Sequence, residues 1–176
     1  MKESHRLGLL ASIIQMLNDA DSWTGRMHIQ KLVYLAQRLL RLQSEYEFVL
    51  YQRGPYSFDL DADIRSLRSI GAVDIRPAPL PYGPKYLRTS LGQAIGELSP
   101  VEDEMNHKLT ALAGELGPKT ASELELLATT HYVLHEGLCE TDKDILNRVV
   151  SLKPQFTSDQ VEQALEQVRE LEARFR

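Results

Sequence analysis

The chain has 176 residues, of which 43% are hydrophobic and 26% charged, a composition typical of one soluble globular domain or of a domain with an appendage. It excludes a disordered or fibrous protein, and a single cysteine, Cys139, excludes an internal disulfide. The net charge of −5 is divided unevenly, because residues 1–98 carry 12 Lys and Arg against 10 Asp and Glu, whereas residues 99–176 carry 8 against 15. Only the first half is therefore expected to approach an anionic partner.

The first apolar stretch, residues 7–14, is far shorter than the roughly 20 residues that cross a bilayer. Gln15, Asn18 and Asp19 interrupt it, and no small-residue cleavage pattern follows, so a signal peptide fits badly. We therefore expect a cytoplasmic protein with no membrane partner.

Apolar residues at helical spacing predict a first helix over residues 5–18 and a second over 25–42, with Thr24 or Ser22 as the N-cap of the second. This pattern leaves Lys31, Arg38 and Arg41 on the outer face of helix 2. Alternating residues 46–50 then predict a strand that ends at Arg53-Gly54-Pro55, where a third helix begins; Gly71 ends that helix.

Two further short strands, AVDI and YLRT, flank the connection RPAPLPYGPK, which four prolines make stiff and extended. A short helix over 90–98 follows. This order predicts a mainly α protein with a winged-helix-like domain over residues 1–98, in which the hairpin is the wing.

Residues 99–176 are expected to form an all-helical domain or extension. Ser99, Thr120 and Thr157 each precede Glu or Gln by three residues, the arrangement of a capping box, and Thr141 is a simpler N-cap. These signals predict helices near 100–116, 121–136, 142–152 and 158–175.

The segment YQRGPYSFDLDADIRSL places Asp59, Asp61 and Asp63 at alternate positions after a Gly-Pro turn. A calcium loop needs Gly at its sixth position and a carboxylate at its twelfth, and Ile64 and Ile70 occupy those positions. We interpret the aspartates mainly as residues that stabilise the positive end of helix 3, with a protein-facing acidic patch as the alternative.

Carboxylates at the start of helix 3 disfavour insertion of this helix between DNA phosphates. A basic face with the wing nevertheless leaves DNA binding as an alternative, and its residues are Arg65, Arg68, Arg76, Lys85 and Arg88.

Other chemical signatures are incomplete. His131 and His135 share a helical face, but Tyr132 and Leu134 break the two zinc-protease patterns, so we expect packing or capping and no metal site. The glycines match neither the dinucleotide-binding pattern nor the nucleotide-triphosphate pattern, so we expect no cofactor. Catalysis by scattered residues such as His28, Tyr56 and Asp59 is the least favoured hypothesis.

Several segments of the chain resemble a known family. IQKLVYLAQ at 29–37, LYQRGPYSFDLDADI at 50–64, and GAVDI with YGPKYLRTSLGQ resemble the bacterial YwgA-like proteins and, more distantly, the SocA or Panacea antitoxin domain. ELELLATTHYV and LKPQFTSDQVEQAL resemble the YwgA-like tail. The antitoxin pattern has an aromatic residue before Gly-Pro-Val, whereas Gln52-Arg53 precede Gly54-Pro55-Tyr56 here. The resemblance implies a compact, mainly helical domain that in several cases binds another protein.

These observations predict a non-catalytic module that binds a toxin or a defence component, as an antitoxin or adaptor, with homodimerisation as a further option. The alternative is a winged-helix transcriptional regulator. The expected partner-binding residues are Gln30, Lys31, Tyr34, Arg53, Gly54, Pro55, Tyr56, Ser57, Asp59, Asp61 and Asp63.

Overall fold

The computed structural model of the chain describes residues 3–78, 83–136 and 139–175. It begins with helices α1 (Glu3–Asp19) and α2 (Arg26–Leu39), which confirms the first two predicted helices. The predicted N-cap of α2 is wrong: Gly25 holds that position without a side-chain bond, and the Thr24 hydroxyl instead donates to the Ser22 carbonyl.

Two antiparallel hairpins follow, each a separate two-stranded sheet. Strand β1 (Val49–Tyr51) pairs with β2 (Gly54–Tyr56), and β3 (Val73–Arg76) pairs with β4 (Lys85–Arg88). The prediction of one strand that leads directly into helix 3 is therefore wrong, since the Gly-Pro-Tyr segment is itself a strand. The middle of the proline-rich connection, residues 79–82, lies outside the described residues.

Helix α3 (Phe58–Ser69) begins after β2 and not at the predicted Arg53-Gly54-Pro55, because Ser57 is its N-cap and the Ser57 hydroxyl accepts a hydrogen bond from the backbone N–H of Leu60. Gly71, with φ +77°, follows the helix in the left-handed conformation that glycine adopts at little cost. Helix α4 (Ser90–Glu97) begins after Thr89, which caps it.

The described residues after α4 form helices α5 (Asp103–Leu116), α6 (Ala121–Glu136), α7 (Asp142–Leu152) and α8 (Ser158–Phe175). The predicted capping boxes at Thr120 and Thr157 are confirmed by reciprocal bonds with Glu123 and Gln160. The box at Ser99 is wrong. Ser99 packs against Gly8 of α1, and α5 begins after Glu102 without a side-chain cap.

Helix α2 lies at the centre of the molecule, in contact with α1, α5, α6, α8 and the β1–β2 hairpin. The expectation that Lys31 faces solvent is wrong, because α6 and the hairpin cover that side of the helix and leave Lys31 fully buried. A buried amine requires a hydrogen-bond partner inside the protein, and for Lys31 this partner is the Pro55 carbonyl.

The main core contains residues from both sides of the predicted boundary at residue 98. Leu10, Ile14 and Val33 from the first part share it with Leu112 from α5 and Leu171 from α8. A smaller apolar cluster joins α6, α7 and α8. The fold is therefore mainly helical with two small hairpins, and the winged-helix arrangement and the two-domain division stay predictions. Among the described residues, no helix is both long and apolar enough to cross a bilayer.

Candidate functional site

Two polar side chains of α2 form hydrogen bonds with the backbone of the Gly-Pro-Tyr-Ser segment. The Gln30 amide donates to the Ser57 carbonyl and accepts from the Ser57 backbone N–H, both at 2.9 Å. Lys31 Nζ donates to the Pro55 carbonyl at 2.7 Å. Gln30 and Lys31 thus satisfy backbone groups of β2 and of the N-cap of α3 that would otherwise be buried without partners.

Lys31 belongs to a buried cluster of charges. Burial lowers the pKa of Lys31 to about 7, against the opposing effect of Glu125, while Lys153 and Arg53 lower it further. Lys153 makes a buried ion pair with Glu125 at 2.6 Å and also donates to the Gln52 carbonyl in the hairpin turn. The connection after α7 therefore reaches back to hold the turn between β1 and β2.

Gly54 fixes the hairpin against α6. Its φ of +82° favours glycine, and a Cβ at this position would lie 2.5 Å from the Thr129 hydroxyl and 3.4 Å from the Glu125 carbonyl oxygen. Any side chain here would meet both a backbone conformation that L-residues rarely adopt and a steric clash. The turn is therefore closely fitted and preorganised.

The three aspartates do not form one acidic surface. Asp59 is exposed, whereas Asp63 is buried and accepts from Arg6 Nε at 2.6 Å and from the Tyr46 hydroxyl at 2.8 Å. The hydrogen bond to Asp63 raises the pKa of Arg6. Asp63 therefore ties α3 to α1 and to the segment before β1.

Asp61 has a different task. It is also buried, and its carboxylate lies 2.8 Å from Arg65 Nη1 and 3.2 Å from Arg26 Nε, so it joins the first turn of α3 to the start of α2. Asp61 was expected to bind a partner, but like Gln30 and Lys31 it contacts other residues of the same chain and stabilises the fold.

Three aromatic rings from β1, β2 and the start of α3 cluster together. Ring centroids lie 5.8 Å apart for Tyr51 and Tyr56, 5.6 Å for Tyr51 and Phe58, and 5.1 Å for Tyr56 and Phe58. Tyr51 is 49% exposed and Phe58 59% exposed, and Val49 beside them is also exposed. We call Tyr51, Tyr56 and Phe58 the aromatic cluster. The residues predicted from sequence included only Tyr56, although the strand alternation and the Phe after the Ser57 cap were signals for the other two.

The remaining expected binding residues divide by exposure. Arg53 is exposed beside the turn, while the Tyr34 side chain is fully buried and contacts His131. Among the residues of the DNA-binding alternative, Arg65 is paired with Asp61 and Arg88 donates to Gln15, whereas Arg68 and Arg76 are exposed and Lys85 is half-buried.

A cleft of about 710 Å³ lies between the start of α2, the β3–β4 hairpin and the connection from α5 to α6. Its walls include Trp23, Arg26, His28 and Arg53, which gives it aromatic and basic character. His28 Nε2 lies 2.9 Å from the Lys119 carbonyl, and burial lowers the pKa of this imidazole. Of the residues in the catalytic hypothesis, His28 lines this cleft but Tyr56 and Asp59 do not.

Near the C-terminal end of α2, the structure brings His131 and His135 of α6 to Glu172 of α8. The sequence pattern paired the two histidines but did not reveal Glu172, because nothing local indicates which carboxylate of α8 faces α6. Cys139 is half-buried.

Comparison with known proteins gives one informative likeness. The chain is 24% identical over 164 residues to the uncharacterized protein YwgA of Bacillus subtilis (strain 168), and the alignment covers 92% of this chain and 95% of that protein. No protein-family model matches the chain. The likeness over nearly the whole length supports the YwgA-like resemblance, and it carries no activity with it.

Proposed function

We propose that the chain is a non-catalytic protein-binding module, of the antitoxin or defence-adaptor kind, that captures its partner through the aromatic cluster. The observation that carries this proposal is the exposure of Tyr51 in β1 and Phe58 in α3, on either side of β2, whose Pro55 carbonyl accepts a hydrogen bond from the buried Lys31. Aromatic side chains of this kind are enriched among residues that dominate binding energy at protein interfaces.

The partner is a protein that presents apolar side chains to the aromatic cluster. Asp59 follows Phe58 in the sequence and Arg53 lies two residues after Tyr51; both are exposed and they carry opposite charges, so an interface with an apolar centre and a mixed polar rim fits best. Since Gln30, Lys31 and Gly54 already hold the turn, little conformational entropy is lost on binding. The antitoxin or adaptor assignment itself follows from the family resemblance.

Affinity capture from the native host tests this proposal with a matched pair of variants. Phe58→Ser removes the most exposed ring of the aromatic cluster, while Ile70→Ser removes an apolar residue of similar exposure (52%) from the other end of α3, roughly 18 Å away. We expect a stoichiometric protein partner that is retained by Ile70→Ser and weakened by about 30-fold or more in Phe58→Ser, the loss typical of an interface hot spot.

Equal capture by both variants would show that the aromatic cluster is not the docking surface. A partner-free chain that elutes as a dimer, and as a monomer in Phe58→Ser, would replace the foreign partner with a second copy of the chain.

The second candidate function is DNA binding by a winged-helix-like domain of residues 1–98. It is favoured by the exposed guanidinium groups of Arg68 and Arg76 on α3 and β3, two elements that pack together. It predicts binding that falls steeply with salt and weakens in Arg68→Ala. Gel shifts without any retardation at low salt would eliminate this candidate.

A further inference from the structure

His131, His135 and Glu172 form a compact group of metal-ligand types at the contact between α6 and α8. The two histidines are four residues apart and therefore lie on one face of α6. His131 Nε2 is 3.7 Å from Glu172 Oε1, His135 Nε2 contacts the same oxygen, and one donor atom from each residue lies within 4.8 Å of the others.

We propose that these three residues bind one divalent transition-metal ion of the zinc class. Two imidazoles and one carboxylate, without a thiolate, form a donor set that suits Zn²⁺ and also accepts Co²⁺. Donor atoms around tetrahedral zinc lie about 3.3 Å apart, because each Zn–N or Zn–O bond is about 2.0–2.1 Å long. The observed separations need only small side-chain rotations to reach this geometry.

The surroundings orient the first ligand. Nδ1 of His131 lies 2.9 Å from the buried Tyr34 hydroxyl. When Nδ1–H donates to this hydroxyl oxygen, Nε2 is unprotonated and directed to the side of Glu172, the arrangement that holds metal-ligating histidines in place.

The site has room for a further ligand. A cavity of about 160 Å³, lined by Arg38 and Leu39 as well as the three ligands, adjoins it, and this volume holds several water molecules. The charge of Arg38 is balanced by Glu136 at 2.8 Å, so Arg38 adds little repulsion to a cation held by Glu172.

In the metal-free chain, the contact between His135 and Glu172 is a hydrogen bond. On metal binding the ion replaces the proton between them: a neutral His135 changes tautomer, because Nδ1 takes up a proton as Nε2 loses one, whereas a protonated His135 releases one proton to solvent. The bound ion then ties α8 to α6. This inference uses none of the residues of the aromatic cluster and does not depend on the proposed protein-binding function.

Calorimetric titration of the chelator-stripped full chain with Zn²⁺ tests the site. We expect one ion per chain, and a loss of affinity of more than about 100-fold in both His135→Ala and Glu172→Gln, since even outer residues of such sites change affinity by about 10–100-fold. His107→Ala removes an exposed imidazole elsewhere and is the matched control. His135 is 37% exposed, so its truncation leaves the fold intact, which circular dichroism checks.

Cobalt provides an independent readout. A four-coordinate Co²⁺ complex gives visible absorption, and ligation without Cys139 gives no thiolate charge-transfer band. Equal Zn²⁺ affinity in the wild type and in both ligand variants would overturn the proposal, and so would a site that is lost in Cys139→Ser but kept in His135→Ala.

Discussion

Lys31 allows a quantitative test of the buried polar cluster. In the folded chain its pKa is lowered to about 7 from the ordinary 10.5, chiefly because burial disfavours the cation. Between these two values the unfolded chain binds the proton and the folded chain does not. Below pH 7 the folded chain bears the full cost of burying the charged amine. As the pH rises from 7 towards 10.5, the free energy of unfolding increases.

The size of this effect follows from the two pKa values. Each pH unit within the window is worth up to about 1.4 kcal/mol, and integration from pH 7 to pH 9.5 gives about 3 kcal/mol of added stability. Burial raises the pKa of Tyr34 and of Tyr46. Their contribution to stability is lost only above about pH 10, where unfolded tyrosines ionise, so the measurement stops at pH 9.5.

The perturbation is Lys31→Met, which keeps the length of the side chain and removes its titration. The variant loses the hydrogen bond to the Pro55 carbonyl, at a cost of about 1–3 kcal/mol that does not depend on pH. We expect urea unfolding to show that the stability difference between the two proteins moves by about 3 kcal/mol in favour of the wild type from pH 7 to pH 9.5.

Lys143→Met, at an exposed position of α7, is the control and should reproduce the pH dependence of the wild type. Parallel curves for the wild type and Lys31→Met would refute the reasoning. They would mean that Lys31 stays charged when buried, with Glu125 as its counter-ion.

Two further predictions compare residues of the same type in different surroundings, and a third concerns the proposed metal site. Gly54→Ala should destabilise the chain by about 2–4 kcal/mol in urea unfolding, and Gly71→Ala by about 1 kcal/mol, because both have positive φ but only Gly54 faces a clash. Asp63→Asn should cost about 3 kcal/mol and Asp59→Asn less than about 0.5 kcal/mol; equal losses in thermal unfolding would contradict the structural difference between them. Tyr34→Phe should weaken Zn²⁺ binding by about 10–100-fold in the calorimetric titration, while unchanged affinity would exclude Tyr34 as the group that orients His131.

Local signals predicted the helices well. The caps at Thr120, Thr141 and Thr157 act within four residues, and α6, α7 and α8 accordingly match the expected limits. Ser99 has the same local pattern, but its side chain packs against Gly8 of α1, a contact that no window of neighbouring residues reveals.

The candidate sites were predicted less well, because they depend on contacts between distant segments. The amphipathic pattern of α2 places Lys31 outside, and only the arrival of α6 and the hairpin buries it. Asp61 and Asp63 are indistinguishable from Asp59 by composition, and their burial follows from the position of α3 against Arg26 and Arg6. Glu172 is separated from His135 by 37 residues, which is why the pattern of α6 alone did not indicate the proposed metal site.

The long reach of Lys153 to the turn at Gln52, across 101 residues, bears on how the chain folds during synthesis. The ribosome releases α2 and the first hairpin well before α7 and α8, yet Lys31 and the apolar face of α2 need the later helices to cover them. Early in synthesis this face has no cover, and exposed apolar surface of this kind favours aggregation and chaperone binding. Because contacts of high sequence separation form late, we expect them to slow native-state formation, and we expect slow translation of the second half to prolong the exposed interval.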